Sequence, residues 1–109
     1  MITLKKHELK GHDVFEIMRG KLKEAHWLES SIFITDECFE NTELGDVLTE
    51  LLDHFNYYGP TEVNRSDWEN IKKTVYCSSS EITKQLVSEI DEWAEECFEL
   101  EPCFTICGV

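Results

Sequence analysis

The stretch SEITKQLVSEIDEWAEECFELEPCFTICG, residues 80–108, sets the fold class of this chain. Ile82, Leu86, Ile90, Trp93, Ala94, Cys97 and Phe98 recur at spacings of three and four, which makes one apolar stripe and predicts a helix over 80–98. Glu89, Glu92, Glu95, Glu96 and Glu99 fall mainly off that stripe. Ser78 with Glu81 fits a capping box, and Pro102 marks the helix end. Directly after it, Cys103-Phe104-Thr105-Ile106-Cys107-Gly108 is β-prone, with Phe104 and Ile106 on one face.

Upstream, Leu44, Val47, Leu48, Leu51, Leu52 and Phe55 predict a second helix over about 43–56, capped by Asn41 or Thr42. A third helix is expected over about 67–76, opened by a Ser66-Asp67-Trp68-Glu69 capping box and facing Trp68, Ile71, Val75 and sometimes Tyr76 inward. Asn56-Tyr57-Tyr58-Gly59-Pro60-Thr61 between them reads as an exposed turn. Ile2 and Leu4 suggest a short strand, and Ile32-Phe33-Ile34 a buried one. Residues 13–28 admit two readings. The preferred one is a helix with Val14, Ile17, Met18, Leu22, Ala25 and Leu28 on one side; the other is a hairpin turning at Arg19-Gly20. Three or four helices with a small sheet that includes the C-terminal strand make a single helix-rich α+β domain spanning residues 1–109.

At 109 residues the chain is the size of one domain, and a hydrophobic fraction of 41% is enough for a core. Its formal net charge is -13, which disfavours binding to nucleic-acid phosphates or anionic membranes. The charge is uneven. Residues 1–23 hold six Lys and Arg against three acids, whereas residues 24–64 hold ten acids and no Lys or Arg. Residues 65–84 are nearly balanced, and residues 85–109 hold seven acids and again no Lys or Arg. Surface helices usually mix signs to gain i,i+4 pairs, so a tract of 41 residues without a cation accepts self-repulsion. A cationic partner offsets that cost and is captured faster by a complementary field.

Cys38, Cys77, Cys97, Cys103 and Cys107 are odd in number and include no CxxC pair. They read as reduced thiols, mostly small buried hydrophobes; with no secretory signal in the sequence, the expectation is a cytoplasmic protein or one whose targeting segment has been removed. His7, His12, His26 and His54 show no spacing that would complete a zinc site, so no metal and no cofactor is expected. The chain has no glycine-rich phosphate loop, nucleophile elbow or HExxH, and catalysis is not expected. Trp68 and Trp93 fit the core, Trp27 is ambiguous, and His54 reads as a surface or interface residue.

The residues that best fit a binding face are Asp36, Glu37, Glu40, Glu43, Asp46, Glu50 and Asp53, with Tyr57 and Tyr58 as aromatic anchors beside them. The order FNYYGPTEVNRSDWENIKK (55–73), DEWAEECF (91–98) and CFTICGV (103–109) resembles small bacterial immunity proteins of polymorphic and contact-dependent growth inhibition toxin systems. The resemblance covers about residues 55–109, with Cys107 where that terminal motif has an aliphatic residue. It implies binding without catalysis to a cognate toxin domain, often a basic nuclease, whose active site or substrate groove is blocked. It carries no particular contact residue over to this chain. An acidic nucleic-acid mimic that inhibits another DNA- or RNA-binding enzyme is the alternative.

Overall fold

The computed structural model describes residues 2–9, 11, 13–22, 28–56 and 59–108. Four strands, β1 (Val14–Arg19), β2 (Ile32–Thr35), β3 (Thr61–Asn64) and β4 (Cys103–Cys107), form one antiparallel sheet in the order β2-β1-β4-β3. Among the described residues, four α-helices, α1 (Asp36–Glu40), α2 (Leu44–Leu51), α3 (Arg65–Ser78) and α4 (Glu81–Leu100), complete the α+β domain. The C-terminal strand lies inside the sheet, between β1 and β3, as a buried five-residue run.

Register sorts the sheet into two faces. Phe15, Ile17, Ile32, Ile34, Val63, Phe104 and Ile106 share one. They join Phe39 of α1, Leu44 and Leu48 of α2, Trp68, Ile71 and Val75 of α3, and Leu86, Ile90 and Trp93 of α4 in one apolar core. At its centre the Phe104 ring lies 5.4 Å from Trp68, 5.7 Å from Trp93 and 5.7 Å from Phe98. Both tryptophans therefore sit in the core, as their stripes predict.

The opposite face carries Val14, Glu16, Met18, Phe33, Cys103, Thr105 and Cys107, all of them buried as well. Glu16, only 3% exposed, accepts hydrogen bonds at Oε2 from Leu28 N at 2.9 Å and Ser31 Oγ at 2.7 Å. Thr105 Oγ1 donates to the Gly20 carbonyl at 2.8 Å. The chain after β1 is thus tied back to this second face at both of its described ends.

Burial on both faces explains why Val14–Arg19 is a strand and not the start of the preferred helix. A strand covered on both sides reads as a nearly continuous apolar run, which can mimic a helical stripe. Here Val14–Arg19 is strand β1, and Leu22, placed inward by the helical reading, is 48% exposed. The alternative hairpin fails too, because β1 pairs with β2 and β4. Gly20 ends the strand at φ 74°, a conformation glycine adopts without a Cβ penalty. Ala25 and Trp27 lie outside the described residues.

Other boundaries move for identifiable reasons. The helix expected over 43–56 stops at Leu51, and Leu52 turns to φ -116°, ψ 108°. Extending it would set Asp53 against the negative end of the helix dipole. Instead His54, exposed, places its ring Nε2 3.0 Å from the Glu62 carbonyl of β3. The N-cap of α2 is Glu43 rather than Asn41 or Thr42, and its side chain makes no cap there; Asn41 instead ends α1, and Thr42 Oγ1 accepts from Leu44 N only at 3.4 Å. The third helix starts at Arg65, because Asn64 Oδ1 accepts from Asp67 N at 2.8 Å and supersedes the Ser66–Glu69 box. β3 is an additional strand: Thr61 and Val63 are buried while Glu62 and Asn64 are exposed. Ile2 and Leu4 form no strand, only an isolated bridge from Leu4 to Phe33. Among the described residues, no helix is long and apolar enough to cross a membrane.

Candidate partner-binding groove

The acids of the α1–α2 region do not act as one group. Thr35 caps α1 by accepting from Cys38 N at 3.1 Å, which turns Asp36, Glu37 and Glu40 along a short helix. Asp36 is fastened to the chain ahead of β1 by a 2.9 Å bond from its N–H to the Asp13 carbonyl. The result is a groove of about 660 Å³ lined by Leu4, Leu9 and Val14 together with Glu8, Asp13, Asp36, Glu37 and Glu40. Its apolar residues come from the N-terminal segment and β1, and its carboxylates from that segment and α1.

Glu40 also borders a second depression of about 410 Å³, which contains Phe39, Phe55 and Asp46. Glu40 is the residue that the two hollows share. Asp46, Glu50 and Asp53 recur at i, i+4 and i+7 and are exposed, with Glu50 one turn beyond the second hollow. Tyr57 and Tyr58 lie outside the described residues.

Glu43 is set apart from the others. Its Oε1 accepts from Ser80 N at 2.9 Å, and its Oε2 from Ser80 Oγ at 2.9 Å and from Thr83 Oγ1. Thr83 Oγ1 in turn accepts from Glu43 N at 3.1 Å. A carboxylate borrowed from the start of α2 therefore caps α4, where the Ser78–Glu81 box was expected and where Ser80 makes no side-chain cap of its own. The Thr83 hydroxyl, followed by Ser80, holds the Glu43 carboxyl down at about 2. Of the seven acids the sequence singles out, Glu43 is committed to the fold.

The structure adds Glu8 and Asp13, which sequence reasoning left in the net-positive N-terminal part. Their signal is not local: long-range bonds such as the Leu4–Phe33 bridge and the Asp36–Asp13 bond bring that segment beside α1.

The cysteines supply no second site. All five are unbridged, and Cys97, Cys103 and Cys107 are buried. Burial first, then the neighbouring Glu62, raises the Cys103 thiol to about 11; burial and then Glu16 do the same to Cys107. Thiols so disfavoured as thiolates are poor nucleophiles. Cys38 is also raised, by burial and then by Glu89 and Glu37. Among the described residues, no group of three or more His, Cys, Asp or Glu side chains is placed to hold a metal ion.

The groove's geometry suits a long cationic side chain, with an aliphatic stem against Leu4, Leu9 and Val14 and a charged head among the carboxylates. No family model, curated protein or solved structure matches this chain.

Proposed function

We propose that this chain is an immunity protein that binds and neutralises a cognate bacterial toxin, a cationic nuclease, in the cytoplasm and without catalysis of its own. The observation that carries this reading is the groove around α1, where an apolar lining is bordered by Glu8, Asp13, Asp36, Glu37 and Glu40. Buried aliphatic contact gives such a surface affinity, and the surrounding carboxylates give it selectivity for Lys and Arg. A nuclease needs a cationic cleft for phosphates, and an acidic inhibitor can occupy that cleft in place of the nucleic acid.

The test is co-expression with the toxin domain encoded beside the gene. Restored growth and co-purification are expected. A protein that neither restores growth nor co-purifies refutes the reading. Replacing Glu37, Asp46 and Glu50 by Lys then locates the face, because these three are exposed and the fold does not draw on them as it draws on Glu43.

A further inference from the structure

We infer that Glu89 of α4 is a positioning residue for the groove: its carboxylate clasps the N-terminal segment that forms one side of it. This deepens the binding role proposed above and rests on it for its functional meaning.

The segment Ile2–Leu9 has little secondary structure of its own, a single 3-10 turn at Lys6–Glu8 and one bridge residue. Leu4 exchanges two backbone bonds with Phe33, at 2.8 and 2.9 Å. One residue pair is a weak anchor, since an isolated bridge gains no support from neighbouring rungs. Yet Leu4, Glu8 and Leu9 all line the groove, so its shape depends on where this segment lies.

The second anchor is Glu89. Its two carboxylate oxygens accept from Ile2 N at 2.9 and 3.0 Å, from Thr3 N at 2.9 Å and from Thr3 Oγ1 at 2.8 Å. Gln85, one turn earlier on α4, steadies the carboxylate from 3.2 Å. Consecutive backbone N–H groups converging on one carboxylate make charge-assisted bonds, roughly twice as strong as neutral ones. Thr3 is 6% exposed, and Ile2 packs against the core. Burial opposes ionisation of Glu89, but the bonds from Ile2 and Thr3 outweigh it and lower its pKa. Glu89 thus fixes residues 2 and 3, the bridge fixes residue 4, and the two together place Glu8 and Leu9.

Amide exchange in full-length Glu89→Ala and Glu89→Gln tests this without any partner. Exchange at Thr3, Leu4 and Phe33 should accelerate at least ten-fold in the alanine variant and less in the glutamine variant, which keeps one acceptor oxygen. Ile17 and Ile106, in the central strands, should be unchanged. Acceleration confined to Ile2 and Thr3, with Leu4 and Phe33 still protected, overturns the inference, because Glu89 would then be a local acceptor only. Toxin affinity is measured separately. If the exchange result holds and Glu89→Ala binds the toxin as tightly as the parent, the positioning role is refuted, while growth protection by the parent still supports the immunity reading.

Discussion

The carboxylates of α4 and those of α1 and α2 face different neighbours. On α4, Glu89 holds the N-terminal backbone, Asp91 accepts from Trp68 Nε1 at 2.9 Å and Lys72 Nζ at 3.1 Å, and Glu96 meets Arg19 at 3.3 Å. On α1 and α2, Glu37, Asp46 and Glu50 are exposed, and Glu43 turns into the α4 N-terminus. Both regions look equally acidic along the chain. Their difference shows that a charge run says nothing of its use until distant partners are placed. Arg19 and Lys72 come from other parts of the sequence, and once they arrive, much of α4 serves to bolt the domain together.

The largest expected effect breaks the comparison from the inward side. Asp91→Ala strips the acceptor from Trp68, a residue only 2% exposed, and the carboxylate from Lys72, whose pKa burial would lower but Asp91 and Glu69 raise. An unsatisfied buried N–H makes the expected loss about 2 kcal/mol, read from chemical unfolding. A variant as stable as the parent would mean that the α4 acids are no more structural than those of the groove.

The groove side predicts the opposite pattern. Glu37→Lys, Asp46→Lys and Glu50→Lys together should change stability by no more than about 0.5 kcal/mol per site. Association with the toxin should slow about ten-fold and lose most of its salt dependence, since steering by exposed charge is screened by added ions. Stopped-flow mixing at two ionic strengths measures both. An unchanged association rate would move the interface to the exposed acids of α4.

Thr83→Val sharpens a crossing point between the regions. Thr83 is fully buried, and its hydroxyl bonds to both the Glu43 carboxylate and the Glu43 N–H. The isosteric change should cost about 1 kcal/mol near neutral pH. Because the folded-state pKa of Glu43 is depressed from 4.5 to about 2, its stabilisation is present above 4.5 and is lost as pH falls through about 2. The gap between variant and parent should therefore narrow across that window in acid titrations. A constant gap would show that Thr83 acts by packing alone.

How much of this was legible depends on the range of the interaction. The α4 stripe and the β-prone run after Pro102 are local patterns, and both elements lie where the spacing puts them, although Ile82 of the stripe, in the first turn of α4, is 46% exposed. β1 was obscured because Phe15 and Ile17 face one layer while Glu16 and Met18 are buried under another, leaving no alternation to detect. β3 does alternate, yet four residues between a Gly-Pro turn that takes in Thr61 and a helix start are too few for the pattern to stand out. For the site, Glu37 and Asp46 were visible as members of a cation-free tract. Glu8, Asp13 and the diversion of Glu43 were not, because each depends on contacts across tens of residues.

The smallest expected effect asks whether exposure alone divides the carboxylates. Glu96 lies on α4 as Asp91 does, but its side chain is 73% exposed against 25% for Asp91. Its bond to Arg19 is a surface pair in water, for which about 0.5 kcal/mol or less is expected. In Glu96→Gln the Arg19 guanidinium would still lie 5.9 Å from the centre of the Trp93 ring, a contact that does not need the carboxylate. Arg19→Ala should cost more than Glu96→Gln, since it removes that ring contact and the packing of the stem at the end of β1. Unfolding curves at low and high salt separate the two: the Glu96 effect should fade with salt, and the Arg19 effect should persist. If Glu96→Gln instead cost as much as Asp91→Ala, burial would not be what sorts these acids, and Glu92, Glu95 and Glu99 would have to be reconsidered as structural too.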